Sequence, residues 1–200
     1  MICVSIANKE DLKVLKSLEL AEIRMDKMDL NDGEIKELFS MPVKLIATCR
    51  GNSKELLKAI HAGAAFIDIE LGEDKEIITA ARKQGCKVIV SHHDFNGTPK
   101  REELESIVEK CFEAKADIAK IACKINSEED NARLLGLLDS EKEIIVVGMG
   151  GKGKITRIIA PLIGSPFTFA ALEKGKETAE GQMTLDEMKK IYNIMVGQND

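Results

Sequence analysis

The chain has 200 residues, of which 44% are hydrophobic and 32% charged, and its formal net charge is −5. This length suits a single domain with a sizeable core, and the acidic balance argues against nucleic acid as the main partner. No apolar run reaches the roughly 18 to 20 residues that a membrane span needs, and the first residues do not have the pattern of a signal peptide. The five cysteines are odd in number and form no CxxC pair, which indicates reduced thiols in a cytoplasmic protein.

Along the chain, short apolar runs rich in β-branched residues alternate with polar stretches of helical spacing. The eight runs cover residues 2–7, 20–25, 44–49, 65–70, 87–92, 117–122, 143–148 and 166–170. Between them, apolar residues recur at the i, i+3, i+4 and i+7 spacing of a helix, most clearly at Leu104, Ile107, Val108 and Cys111. Strands alternating with helices predict a parallel sheet, and eight such units predict one domain over residues 1–200, an α/β protein with a (β/α)₈ TIM barrel of eight parallel strands. The alternative is a doubly wound open sheet, which usually has five or six strands.

Polar residues lie within or directly after most of these apolar runs. Because a barrel carries its chemistry at the C-terminal ends of its strands, we expect these side chains to meet there. In chain order they are Glu22, Arg24, Asp26, Thr48, Arg50, Asp68, Glu70, Ser91, His92, His93, Asp94 and Lys120, with Met149 and a glycine-rich loop after the seventh run.

Lys120 is the most unusual of these residues, because alanines and isoleucines surround it in ADIAKIA. A lysine facing a barrel interior loses hydration, which favours the neutral amine that attacks ketones. The other interpretation is a lysine that points to solvent or pairs with Glu70 or Asp68.

Histidine on the preceding strand favours the functional interpretation, since an imidazole moves protons near neutral pH. Strand alternation allows only one of His92 and His93 to face the interior, and periodicity does not decide which. His61 lies in a helical stretch and is expected on the surface or in helix packing.

Three arginines, Arg24, Arg50 and Arg157, come from separate segments and could converge on a small anionic, hydroxylated substrate. For each of them a surface salt bridge is the alternative. Glu22 or Asp26 could hold Arg24 in place.

The glycine-rich loop at residues 148–154 begins like a phosphate-binding loop, but Ile155 occupies the position of the magnesium-binding Ser or Thr. We therefore expect its glycines to form a tight turn that lets the backbone approach a substrate.

Taken together, the motifs resemble type I 3-dehydroquinate dehydratases of the shikimate pathway. The matching segments occur in family order: EIRMD (22–26), TCR (48–50), IDIEL (67–71), SHHDF (91–95), ADIAKIA (116–122), MGGKGKITR (149–157), GSPFTF (164–169) and EGQ (180–182). The resemblance implies a (β/α)₈ barrel that dehydrates 3-dehydroquinate without a metal or organic cofactor, commonly as a homodimer.

The resemblance also implies roles for individual residues. Lys120 would form an imine with the substrate ketone, His93 would be the general acid and base, and Arg157 would bind the substrate carboxylate. Substrate contacts or pocket lining are implied for Ser5, Glu22, Arg24, Arg50, Thr178 and Gln182 and, in second rank, for Asp68, Glu70, Met149 and Phe169.

The sequence departs from the family at three places. The glutamate that often follows the T-x-R arginine has no secure counterpart in GNSKE, so Glu55 cannot be assigned to it. Thr178 replaces a serine and Glu180 replaces a proline in the loop before the final glutamine.

Two other functions stay open, a Schiff-base aldolase acting on sugar phosphates and a non-catalytic binding barrel.

Overall fold

A computed structural model describes residues 1–73 and 75–197, so the predicted single domain of residues 1–200 extends beyond the described part at Asp74 and residues 198–200. Eight parallel strands form one sheet in the hydrogen-bonded order β7-β6-β5-β4-β3-β2-β1-β8. The strands are β1 Ile2–Ile6, β2 Leu20–Arg24, β3 Lys44–Thr48, β4 Phe66–Glu70, β5 Lys87–Asp94, β6 Ile118–Lys124, β7 Ile144–Met149 and β8 Thr168–Ala171. Strands β7 and β8 contact each other and make the barrel nearly closed. The predicted (β/α)₈ fold is confirmed, and each strand lies within two residues of its apolar run.

Helices cover the outside of the sheet, one after each strand. Among the described residues, the α-helices are α1 Asp32–Phe39, α2 Ser53–Ala62, α3 Lys75–Lys83, α4 Arg101–Glu113, α5 Glu128–Gly136, α6 Lys154–Ile159 and α7 Leu185–Val196. The connection after β1 is instead a 3₁₀ helix, Lys9–Ser17. Capping boxes at Asn31, Ser127 and Thr184 begin three of the α-helices. In the described part of the chain, every helix is too short or too polar to cross a bilayer.

Strand alternation divides the core into two layers. Odd and even positions of β5 illustrate this: Val88 and Val90 pack outward against the helices, whereas Ile89 packs inside the barrel. Much of the inner apolar layer lies at the end of the barrel where the strands begin. There Phe66, Phe167 and Phe169 pack edge to face, with ring centroids 6.2 and 5.5 Å apart. This aromatic stack forms the floor on which the polar layer rests.

All five cysteines are free and buried. Burial raises the pKa of Cys86, Cys111 and Cys123 to about 12, so these thiols stay protonated at neutral pH. They are small apolar core residues, as the sequence predicted.

Candidate active site

A cavity of about 750 Å³ opens at the C-terminal ends of the strands. Twelve of the thirteen predicted site residues line it: Ser5, Glu22, Arg24, Arg50, Glu70, His93, Lys120, Met149, Arg157, Phe169, Thr178 and Gln182. The exception is Asp68, whose side chain is completely buried beneath the cavity wall because Lys120, Arg50 and Ser91 enclose it. The strand ends and the loop after β8 thus bring together side chains that lie up to 177 positions apart in the sequence.

Lys120 points into the barrel and is only 7% exposed. Its Nζ lies 2.7 Å from Asp68 Oδ2 and 4.7 Å from the centroid of the Phe169 ring. The amine is therefore buried, as desolvation inside the barrel requires, and it is also held in an ion pair. Lys120 thus lies inside the barrel and is also paired with Asp68, so the two interpretations of the sequence hold together.

Asp68 also accepts hydrogen bonds from Arg50 at 2.9 Å and from the Ser91 hydroxyl at 2.6 Å. Burial by itself would raise the pKa of Asp68, but the charges of Lys120 and Arg50 hold it well below its ordinary value. The carboxylate is therefore ionised at neutral pH and pairs with the Lys120 amine.

His93 is the histidine that faces the cavity, because the alternation of β5 places it on the same side as Ser91. Its Nδ1 lies 2.7 Å from Glu70 Oε2, and its backbone N–H donates to Glu70 Oε1 at 3.0 Å. Burial would raise the pKa of Glu70, yet the hydrogen bond with His93 and the charge of Arg50 lower it. An ionised carboxylate only accepts, so Nδ1 carries the proton and Nε2 is the ring nitrogen that can act as a base.

Glu70 is thus the glutamate that binds the histidine. The sequence ranked it only as a lining residue and looked for this partner after Arg50. Glu55 lies instead on α2, where it accepts a hydrogen bond from Lys58 at 2.8 Å. The signal was present in IDIEL, since Glu70 ends the strand beside that of His93.

Arg50 joins the two ion pairs. One of its terminal nitrogens lies 2.9 Å from Asp68 Oδ1 and the other lies 3.3 Å from Glu70 Oε2. The guanidinium therefore fixes the carboxylate of Lys120 relative to the carboxylate of His93, and the amine and the imidazole are oriented by one connected network.

Glu22 is buried on the opposite side of the cavity and is held by hydroxyl groups. Ser5 donates to it at 2.7 Å and Thr48 donates at 2.9 Å. Gln182 Nε2 in turn donates to the Ser5 hydroxyl at 3.2 Å. A carboxylate with hydroxyl partners suits recognition of a hydroxylated ligand.

The three arginines differ in their partners. Arg24 forms two hydrogen bonds with Asp26, at 2.9 and 2.7 Å, so Asp26 holds it in place. Arg157 is only 1% exposed, and no carboxylate among the described residues lies within ion-pair distance of it. Its Nε has no hydrogen-bond partner there, and burial lowers the pKa of Arg157 to about 10. It remains a cation at neutral pH and is the arginine most available to an anionic ligand.

The glycine-rich loop folds against itself. A Cβ on Gly153 would lie 2.4 Å from the carbonyl carbon of Gly148, and Thr156 ties the turn by accepting from Gly148 N and donating to Gly153 O. The predicted tight turn is present, and its two glycines let two segments of the protein's own backbone come into close contact.

Three residues at the cavity mouth were not predicted from the sequence as site residues: Phe95, Lys124 and Glu180. The Phe95 ring is 72% exposed and stacks on His93 with centroids 6.0 Å apart. Lys124 lies four residues after Lys120 on the same strand, so extending the period-two pattern by one more pair would have found it.

The family model for type I 3-dehydroquinase matches residues 2–199 of the chain. Among curated relatives, the 3-dehydroquinate dehydratase of Methanocaldococcus jannaschii is 36% identical over 219 residues, covering 98% of this chain and 99% of the relative. That of Dehalococcoides mccartyi is 36% identical over 211 residues, covering 96% and 94%.

Solved structures of similar proteins have the same fold. The 3-dehydroquinate dehydratase of Aquifex aeolicus superposes with a TM-score of 0.85 at 29% identity, covering 98% of this chain and 99% of that one. The type I enzyme of Clostridium difficile, solved with covalently modified comenic acid, gives a TM-score of 0.84 at 30% identity, covering 97% and 91%.

Proposed function

Because the chain belongs to the type I 3-dehydroquinase family, we propose that it is a hydro-lyase that dehydrates 3-dehydroquinate to 3-dehydroshikimate in the shikimate pathway. The observation that carries the proposal is the pairing of Lys120 and His93 in one cavity, each held by its own buried or half-buried carboxylate. This pair supplies an amine for imine formation and an imidazole for proton transfer.

Imine formation begins when Lys120 Nζ attacks the C3 ketone. The amine must first lose a proton. His93 is the base proposed for this step, since Glu70 leaves its Nε2 free. Loss of water from the carbinolamine then gives a cationic imine, whose charge Asp68 balances from 2.7 Å in the free protein.

Elimination follows from the imine. The cationic imine accepts the electron pair of the C2–H bond when His93 removes that proton, which an unassisted ketone would do poorly. The C1 hydroxyl leaves with a proton returned by His93, and hydrolysis of the imine by water frees the product and Lys120. No metal or organic cofactor is needed, because the imine itself is the electron sink.

Substrate placement is the task of the other cavity residues. Arg157 binds the carboxylate and so orients the C2 proton toward the imidazole, which lowers the barrier through positioning. Glu22 and Gln182 contact substrate hydroxyls, with Ser5, Arg24 and Thr178 around them. Arg50, Met149 and Phe169 complete the pocket.

Borohydride reduction tests the imine directly. We expect reduction in the presence of 3-dehydroquinate to leave a stable adduct on Lys120, found by peptide mass spectrometry. Reduction without substrate is the control. Turnover without any adduct, or an adduct on another lysine, would contradict the imine route. That the Clostridium difficile relative was solved with a covalently modified ligand supports the choice of this test.

Substitution of His93 by Ala tests the second partner. We expect kcat to fall by a factor on the order of 10² to 10⁴, which is the usual contribution of a general acid or base. The matched control is His92→Ala, on the same strand but outside the cavity lining, which should retain far more activity. Equal activities of the two variants would remove His93 from the role.

A Schiff-base aldolase would use the same amine but would need a phosphate site. The glycine loop that could have provided one is closed by the contact of Gly148 with Gly153. Assays with sugar phosphates beside 3-dehydroquinate test for an aldolase. Ligand binding without turnover would indicate a binding barrel.

We further propose a cytoplasmic homodimer that binds no nucleic acid. Sedimentation of the purified protein tests the oligomeric state.

A further inference from the structure

The cover loop, residues 172–183 between β8 and α7, extends over the cavity. Its ends are joined by the hydrogen bond from Ala171 N to Met183 O, at 2.8 Å. Inside the loop, Thr178 donates to Gln182 Oε1 through its backbone N–H at 2.8 Å and its hydroxyl at 3.2 Å. Thr178 and Gln182 both line the cavity, so the loop brings substrate-facing groups with it.

Glu180 is where the cover loop contacts the end of β6 and the loop after β7. Its carbonyl oxygen accepts from Gly150 N at 3.2 Å and from an Arg157 terminal nitrogen at 3.4 Å. Its carboxylate lies 2.6 Å from Lys124 Nζ. The next residue, Gly181, has a φ of +77°, and a Cβ there would lie 2.3 Å from Gly150 O, so the two backbones are in close contact.

Lys124 belongs to the catalytic strand. Lys120, Ala122 and Lys124 alternate onto the inner face of β6 and all line the cavity. Lys124 is the member of this row nearest the mouth, and its side chain is 31% exposed. The strand that carries the imine-forming amine therefore also carries the cation that binds the loop.

We propose that Lys124 and Glu180 are positioning residues whose ion pair holds the cover loop closed and thereby places Arg157 and Gln182 for substrate. The inference rests on the proposed dehydratase function. Arg157 has its hydrogen bond to the Glu180 carbonyl, so a shift of Glu180 removes the group that orients the guanidinium. Gln182 follows two residues later and moves with the same turn.

The pair is suited to opening and closing. Glu180 is 67% exposed, so water and salt screen its attraction to Lys124 and the interaction is weak enough to break in each cycle. Substrate has to enter and product has to leave through the mouth that the loop covers. The ion pair should therefore act on binding more than on the chemical step.

Kinetics of Lys124→Gln, Glu180→Gln and the double variant test the proposal. We expect KM for 3-dehydroquinate to rise about two- to fivefold in each, the range for a partly exposed ion pair, with kcat within about twofold of wild type. The double variant should be no worse than either single one, because one interaction is lost in all three. Lys124→Arg should restore most of the affinity, and high salt should bring variants and wild type closer together.

The matched control is Lys142→Gln, which breaks the exposed ion pair with Glu109 away from the cavity and should leave KM unchanged. If Lys124→Gln raised KM while Glu180→Gln did not, Lys124 would contact the substrate directly and the proposal would be overturned. Additive effects in the double variant would overturn it as well.

Hydrogen exchange of the ligand-free protein gives a readout that needs no turnover. Peptides covering residues 172–183 should exchange faster in Lys124→Gln and Glu180→Gln than in wild type or Lys142→Gln. Unchanged exchange would refute the loop-holding role even in an active enzyme. Faster exchange in a protein that does not dehydrate 3-dehydroquinate would retain that role and reject the proposed function alone.

Discussion

At the scale of single residues, the site contains charged side chains of two kinds. Some form ion pairs within the protein, and one has no ion-pair partner among the described residues. Lys120, Arg50 and His93 all have carboxylate partners within the protein. Arg157 has none among the described residues. The ion pairs hold the reacting side chains in position, and Arg157 can attract a substrate carboxylate.

Substitution of Asp68 by Asn should destabilise the protein by about 3 to 5 kcal/mol at neutral pH, because the buried ammonium of Lys120 loses its counter-charge. Urea unfolding measures the loss. Glu109→Gln, which breaks the exposed pair with Lys142, is the control and should leave stability near that of wild type. Equal stabilities of the two variants would show that the buried pair contributes little.

Because of the Asp68 carboxylate, we also expect the free energy of unfolding to depend on pH. The pKa of Asp68 is lowered in the folded protein, so its stabilising contribution is complete above the ordinary carboxyl value of about 3.9. That contribution declines as the pH falls below this value and is lost as the pH falls through the lower pKa of the folded state. Unfolding free energies between neutral and acidic pH should therefore decline more steeply for wild type than for Asp68→Asn, and parallel curves would contradict the assignment.

Substitution of Arg157 by Gln should lower kcat/KM by a factor on the order of 10² or more, since a buried, charge-assisted contact to the substrate is lost. The ligand-free variant should unfold at no lower temperature than wild type, because no internal ion pair is broken. Arg133→Gln should do the reverse. Arg133 binds Asp130 and the carbonyls of Thr98 and Pro99, so its loss should reduce stability and spare activity.

At the scale of elements, the period of two along each strand decided most of what the sequence could predict. The position of Glu22, Asp68 and Lys120 within the apolar runs predicted that they would meet at the strand ends, and all three are buried there. The period of two could not choose between His92 and His93, because that choice depends on register with β4 and β6, which is fixed only when the strands pair.

The ion-pair partner of Lys120 could not be predicted from the sequence for the same reason. Whether Lys120 meets Asp68 or Glu70 depends on side-chain reach across neighbouring strands and not on spacing along the chain. In the sequence, the cover loop could be compared with the family only one position at a time, so Glu180 was noted as a departure from a proline. Its ion-pair partner, Lys124, lies 56 residues away. Loops position residues through such distant contacts, and a sequence gives little sign of them.

The glycine loop offers a test at this scale. Substitution of Gly153 by Ala should destabilise the protein by about 1 to 3 kcal/mol, because the new Cβ would overlap the backbone of Gly148. Gly151→Ala is the matched control: among the described residues, nothing lies within 4 Å of a Cβ placed there. Chemical denaturation of both variants gives the comparison, and a stable Gly153→Ala protein would show that the turn can open without cost.

At the scale of the whole molecule, the barrel has a seam. The hydrogen-bonded order begins at β7 and ends at β8, and no ladder joins these two strands in the described part of the chain. We expect backbone amides of β7 and β8 to exchange faster than those of β4 and β5, which are paired on both sides. Native-state hydrogen exchange resolved by residue measures the difference, and uniform protection around the ring would contradict it.

The lone guanidinium of Arg157 has a consequence beyond catalysis. A ligand that neutralises it binds only the native state, so folded molecules become more numerous as that ligand accumulates. In a cell, proteases remove molecules that unfold, and degradation should slow when metabolite is plentiful. The amount of this protein would then follow the supply of the compound it consumes, without any regulatory domain.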